Sequence, residues 1–292
     1  MKEKVSVGDV IIHVILVLFG LSIILAFVHM LVLSFSPGYI ATKGGLHLWP
    51  TDFTLDNYKK VMESRYIWLG YKNTLLRTVV GTAASLFVTA LGAYALSKPY
   101  FPHRSIWTLL IVFTMFFSGG LIPNYLLIRD LGLLDNFFVQ ILPGLVSAYN
   151  LVIMRNYFQS LPEEIEESCQ IDGAGRFRIF FNIVLPLSMP ILATVGLWLA
   201  VGHWNAWFDV LIYISNEERF TLQVVLRRIL ITGTQQMLET AQMDVTAMEN
   251  AQSSTEGLKG AAIFITTLPI LCVYPFIQRY FVKGIMVGSL KG

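Results

Sequence analysis

EEIEESCQIDGAGRFRIFFNIVLPLSMP, residues 163–190, is the stretch that decides how this chain is read. It is short and charged, and a long apolar segment lies on either side of it. Ser160-Leu161-Pro162-Glu163 has the form of a helix start, with Ser160 as cap and Glu163 closing a capping box. Glu163 and Glu164 then sit near the positive end of the helix, where carboxylates are favoured. Helical spacing puts Ile165, Ser168, Cys169 and Asp172 on one face and Glu163, Glu166, Glu167 and Gln170 around the other. Gly173 and Gly175 are expected to end this helix. A second short helix is expected to follow, with Phe177, Phe180, Phe181 and Val184 on one face, before Leu185-Pro186 leads into apolar sequence. The stretch therefore reads as a helical hairpin lying on a membrane surface and joined to a membrane span.

The surroundings make the membrane explicit. Of the 292 residues, 55% are hydrophobic and only 14% charged. Soluble domains carry about 25% charged residues, so most of this chain faces lipid or other apolar segments. Six spans follow from apolar length, near residues 10–34, 74–97, 106–128, 137–158, 185–212 and 259–281. Lys2 and Lys4 precede the first run, which is too long for a signal peptide's apolar core and is expected to be retained. Gly119, Gly120 and Pro123 predict a break in the third span, and Pro143-Gly144 a kink in the fourth. Arg77, near one end of the second span, is expected to snorkel to the interface. Small residues (Thr82, Ala83, Ala84, Ser85, Ala90, Gly92, Ala93) suit that span to close helix packing.

An even number of spans puts both termini on one side. Ten of the 21 Lys and Arg residues fall in segments on the termini's side. Those segments are the shorter ones in total, so their density of positive charge is higher and favours termini inside. The segments of about residues 35–73 and 213–258 then face outward, and their turn residues and short amphipathic runs predict ordered structure. The net charge of +2 and the lack of a basic face argue against a nucleic-acid partner. Cys169 and Cys272 form neither a CxxC pair nor a disulfide framework. The five histidines have no metal-ligand spacing, no phosphate-cradling GxxxxGK[ST] segment is present, and no nucleophile–base set is visible.

The stretch Glu167-Ser168-Cys169, Asp172-Gly173-Ala174, Phe180, Ile183 and Leu185-Pro186 resembles the Glu-Ala-Ala loop of ABC-importer permeases. Ser168-Cys169 replaces Ala-Ala with two other small residues. PTDFTLDNYKKV (50–61), YKNTLLRTVVGT (71–82), VGHWNAWFD (201–209) and FVKGIMVGSLKG (281–292) extend the resemblance to the carbohydrate, maltose-type permeases, and to the second permease of importers for oligosaccharides and polysaccharide fragments. The resemblance implies an all-α membrane protein of the type I importer fold, a single permease domain over 1–292 with its coupling loop at 160–184. It implies a bacterial inner-membrane location with both termini cytoplasmic. It implies a heterodimer with a second permease, two ATPase subunits that carry ATP and magnesium, an extracytoplasmic binding protein, and no cofactor or catalytic group on this chain.

By the same resemblance, Glu167 meets the ATPase, Ser168, Cys169, Asp172, Gly173 and Ala174 shape the docking turn, and Phe180, Leu185 and Pro186 complete the pattern. Residues 213–258 correspond to the loop that reaches into the binding protein, and Lys283, Lys291 and Gly292 to a tail near the ATPase. In the fifth span Trp204, Trp207, Phe208 and Leu211 would share a helical face, with Asn205 and Asp209 beside it. Aromatic rings stack on sugar CH faces while Asn and Asp bond hydroxyls, so this cluster is a candidate sugar path. An interfacial aromatic belt is the other reading. Arg77, Arg227 and Arg228 would suit an acidic sugar. Three other functions stay open: a secondary carrier, a sensory subunit that binds an ATPase without transport, and an ABC permease for a peptide, amino acid or lipid-linked glycan.

Overall fold

The computed structural model describes residues 7–37, 40, 45–240 and 255–272. The described residues are helical, without a strand. Three helices are straight and long enough to cross a bilayer: α1 (Val7–Ser34), α3 (Arg65–Ser97) and α12 (Thr255–Cys272). Three further spans are broken. α4 (Arg104–Phe116) meets α5 (Leu121–Asp130) at 115°, a 3₁₀ segment (Phe137–Gly144) meets α6 (Ala148–Gln159) at 55°, and α8 (Arg176–Leu187) meets α9 (Met189–Asn205) at 82°. α2 (Asp56–Glu63), α7 (Glu163–Ile171), α10 (Phe208–Tyr213) and α11 (Leu222–Thr240) complete the set. With each bent pair counted as one span, the described residues hold helices at all six expected places, the last as far as Cys272; residues 273–281 of the expected sixth span lie outside the described residues.

The breaks have sequence causes. Gly120 has φ 88°, a conformation open to glycine, and starts α5 after α4 has ended at Phe116. Pro143-Gly144 ends the 3₁₀ segment, and Ser147 caps α6 by accepting the Asn150 amide. The fifth span bends at Ser188, so Leu185-Pro186, its expected start, belong to α8 and α9 begins at Met189. α3 begins nine residues before the expected start, and its 33 residues reach about 50 Å, well beyond a ~30 Å hydrocarbon core.

The chain divides into two compact units. One comprises residues 1–68 and 225–269. Within it, the Asn57 amide donates to the Ser34 and Ser36 carbonyls, both at 3.1 Å, satisfying acceptors left over at the end of α1. The Tyr58 hydroxyl lies 2.8 Å from Ser34 Oγ, and Phe35 stacks between Tyr58 and Phe53. Gly260 of α12 packs on α1 so closely that a Cβ there would lie 2.8 Å from the Met30 carbonyl oxygen.

The other unit comprises residues 69–224 and 270–292. Its core joins Ala90, Ala93 and Tyr94 of α3, Met154 and Phe158 of α6, Phe180 and Val184 of α8, and Val195 of α9. The connections between spans gather into two groups. One holds the end of α3, the end of α6, α7 and the start of α8. In the other, Asn73 donates to the Glu218 and Phe220 carbonyls, Thr74 accepts the Leu222 amide, and Asp135 accepts the Ser215 and Asn216 amides. Residues 35–73 hold α2 and the first residues of α3, and residues 213–258 hold α11, as their amphipathic runs predict; residues 241–254, Lys2, Lys4 and the tail with Lys283, Lys291 and Gly292 lie outside the described residues.

Two predictions follow from these packings. Gly260→Val forces a side chain onto the α1 backbone and is expected to cost about 1–3 kcal/mol, lowering the melting temperature of the detergent-solubilised protein. Gly20→Val, with nothing within 4 Å of its Cβ, serves as the control that leaves it unchanged. The second concerns Asp135, outside the spans, whose carboxylate is held below its ordinary value of 3.8 by the Asn216 and Ser215 amides. A depressed carboxylate contributes stability above its unfolded value and loses it as pH falls through the folded one. Melting temperature is therefore expected to fall more steeply below pH 4 in the wild type than in Asp135→Asn, and parallel curves would refute the assignment.

Candidate functional site: a surface hairpin on a buried ion pair, and a polar cavity

The 163–190 stretch forms the expected hairpin, with a different start. Pro162 is the N-cap of α7 and offers no side-chain bond, so the capping box of Ser160 and Glu163 does not form. Ser160 instead closes α6, its hydroxyl donating to the Tyr157 carbonyl at 2.8 Å. α7 ends as glycine spacing predicts: Gly173 has φ 82°, its amide donates to Gln170, and the Ala174 amide reaches back to the Cys169 carbonyl at 2.9 Å. This αL turn swings the chain into α8.

Exposure splits the hairpin by function. Glu167, Ser168, Asp172 and Gly173 are exposed along α7 and its turn. Ile171 and Phe177 are 87% and 75% exposed, an apolar pair at the tip. Cys169, Asp172 and Ala174 line a cleft of about 260 Å³ with Arg178, Ile179 and Asn182, between α7 and α8. Phe180 belongs to the core, and Leu185 and Pro186 lead to the bend at Ser188. A π-helical turn over Phe180–Val184 turns both of those residues inward. Phe177 departs from the expected shared face, since it points away from Phe180's core.

The acidic face also divides. Glu166 is buried, and its carboxylate is fully engaged. Lys98 Nζ lies 2.5 Å from Oε1, and the Tyr94 hydroxyl donates to Oε2 at 3.1 Å. Lys98 lies 4.8 Å from the Tyr94 ring centre. Tyr94 itself packs edge-on to Phe158 and against Phe180. Removing one partner of such a buried pair leaves an uncompensated charge, at a cost of about 3–5 kcal/mol. Arg176 covers the Tyr100 ring at 4.3 Å, and Arg155 Nε donates to the Leu96 carbonyl at 3.1 Å. The sequence shows Glu166 as one acid among four. Its burial follows only from Tyr94 and Lys98, one helical turn apart and some 70 residues earlier.

The aromatic cluster of the fifth span is arranged differently from expectation. α9 ends at Asn205, Ala206 is extended, and α10 restarts at Phe208. Trp204, Trp207, Phe208 and Leu211 therefore do not share one helical face. Trp204 is buried, Trp207 is half-buried at the break, and Asn205 is exposed. Phe208 and Asp209 line a cavity of about 370 Å³ together with Arg77, Asn124, Gln140 and His203. Arg77 does not snorkel. It is 4% exposed and forks onto Asp209, Nη2 to Oδ2 at 2.5 Å and Nη1 to Oδ1 at 3.2 Å. The ring of His203 faces Gly81, where a Cβ would lie 2.7 Å from it, so a glycine is required at this crossing of α3 and α9. Arg77 Nε and Gln140 Oε1 are buried there without a protein partner. Among the described residues no group of His, Cys, Asp or Glu is placed to hold a metal ion.

Comparison with known proteins gives this geometry its setting. The chain is 39% identical over 284 residues to the polygalacturonan/rhamnogalacturonan transport system permease protein YtcP of Bacillus subtilis, covering 97% of this chain and 98% of that one. It is 41% identical over 278 residues to protein LplC of the same organism, covering 94% and 91%. Its structure superposes with a TM-score of 0.86 and 34% identity on a chain of a bacterial ABC transporter that imports the acidic polysaccharide alginate, covering 96% of this chain and all of the other. Residues 9–287 match the family described as binding-protein-dependent transport system inner membrane component, and the chain belongs to that family of membrane transport subunits.

Proposed function

We propose that this chain is one permease of an ATP-driven importer for an oligosaccharide, working beside a second permease, two ATPases that hold ATP and magnesium, and an extracytoplasmic binding protein. The observation that carries the reading is the full-length likeness to a chain of an alginate importer, joined to the relative that serves polygalacturonan and rhamnogalacturonan. The chain supplies no hydrolytic site of its own in this scheme. Its α7–α8 hairpin takes the load from an ATPase through Glu167, Ser168, Cys169 and the Asp172-Gly173-Ala174 turn. Both termini and this hairpin lie on the cytoplasmic face of a bacterial membrane, and the Asn73–Asp135–Leu222 group lies outside.

The cavity beside Phe208 and Asp209 is this subunit's share of the sugar path. Asp209 neutralises Arg77 across a short fork, so the cavity offers no spare positive charge for a uronate. Its polar lining of Asn124, Gln140 and His203 suits hydroxyls, with Phe208 as a stacking surface.

The test reconstitutes the chain with its copurifying subunits in liposomes and adds the cognate binding protein. ATP hydrolysis and uptake are measured with oligogalacturonide, alginate oligosaccharide and maltodextrin. One of these is expected to stimulate both; ATP hydrolysis stimulated by none would refute the oligosaccharide reading. In the same assay Glu167→Ala, and Gly173→Pro at a turn whose positive φ proline cannot adopt, are expected to lower uptake about tenfold or more while the subunits still copurify. Uptake at the wild-type level in both variants would count against the hairpin as coupling element.

A further inference from the structure

The hairpin is covalently continuous with two spans only. Residues 160–162 join it to α6, and Ser188 joins it to α9. α3 is separated from it by some 60 residues of sequence, yet its last turn and the residues just after it are fastened to the hairpin. Tyr94 and Lys98 both reach Glu166, at the middle of α7. The Tyr94 ring fills the space between Phe158 of α6 and Phe180 of α8, and Arg176, the first residue of α8, covers Tyr100 just beyond the helix.

These contacts fix α7 in a particular way. Both carboxylate oxygens of Glu166 are engaged, by Tyr94 in the last turn of α3 and by Lys98 in the residue just after it. Lys98 and Glu166 side chains are each only 10% exposed, so water neither screens the pair nor replaces either donor cheaply. Rotation of α7 about its axis, or sliding along α3, separates charges in a dry site. Glu167 and Ile171, one and five residues on, face away from this joint and are exposed. Force applied to the exposed face of α7 therefore passes through Glu166 into α3.

We infer that Glu166, held by Lys98 and Tyr94, is a positioning residue that makes α3 move with the surface hairpin, so that one docking event drives two spans, α9 by chain continuity and α3 by this joint. The inference rests on the importer reading above. α3 also carries Arg77, on the wall of the cavity, so the joint lies at one end of a helix whose other half borders the proposed sugar path.

The experiment uses the reconstituted complex and whichever of oligogalacturonide, alginate oligosaccharide or maltodextrin the wild type takes up, and reads molecules imported per ATP hydrolysed. Glu166→Gln and Lys98→Met are expected to keep the ATPase copurified and hydrolysing while this ratio falls about tenfold. The swapped pair Lys98→Glu with Glu166→Lys is expected to restore it. Tyr94→Phe, which removes one donor and leaves the ion pair, gives a smaller fall in the same ratio and stands in where the charge variants fail to assemble. An unchanged ratio in Glu166→Gln, or in Tyr94→Phe when the charge variants do not assemble, would overturn the inference. Loss of copurified ATPase in all of these variants would also overturn it, by making the pair a folding anchor alone. A wild type that hydrolyses ATP without importing any of the three sugars would instead remove the importer reading, and this inference with it.

Discussion

The buried contact of Glu166 with Lys98 and Tyr94 is the constraint on which the rest of this unit is arranged. A carboxylate and an ammonium withdrawn from water are tolerated only when each finds a close partner. Meeting that demand brings the end of α3, the middle of α7 and the start of α8 to one point. Phe158 and Phe180 can then close over Tyr94, and the apolar core between α3, α6, α8 and α9 forms around them. The hairpin is thereby a rigid body, although it is made of two short helices that would be marginal alone.

At the opposite group of connections the same task is done with backbone polarity. Asn73, Thr74 and Asp135 each satisfy amides or carbonyls of residues 215–222 that have no helical partner. One end of the unit is held by a buried charge pair and aromatic packing, the other by a lacework of side-chain to backbone bonds. Between them lies a cavity lined by Arg77 and Asp209, which neutralise each other, and by Asn124, Gln140 and His203.

What the sequence made legible was length and punctuation. Apolar runs located six spans, and Gly119-Gly120, Pro123 and Pro143-Gly144 located breaks, because those residues act on their own backbone. Gly173 could be read as a helix end for the same reason. Long-range pairing was not legible. Arg77 looked like an interfacial cation because nothing local revealed Asp209, 132 residues later. Glu166 looked like a surface acid because its partners lie in an earlier span. The helical face through Trp204 and Leu211 failed because Ala206 is extended, and neither proline nor glycine marks that break. Ser160 went to the preceding helix, since a hydroxyl between two helices can serve the end of one or the start of the next.

Ile171 and Phe177 stand on the hairpin tip and are largely exposed. An apolar tip of this kind is a liability in water until another surface covers it. The tip is therefore the part of the hairpin that gains most from being covered, by the apolar area its two side chains withdraw from water.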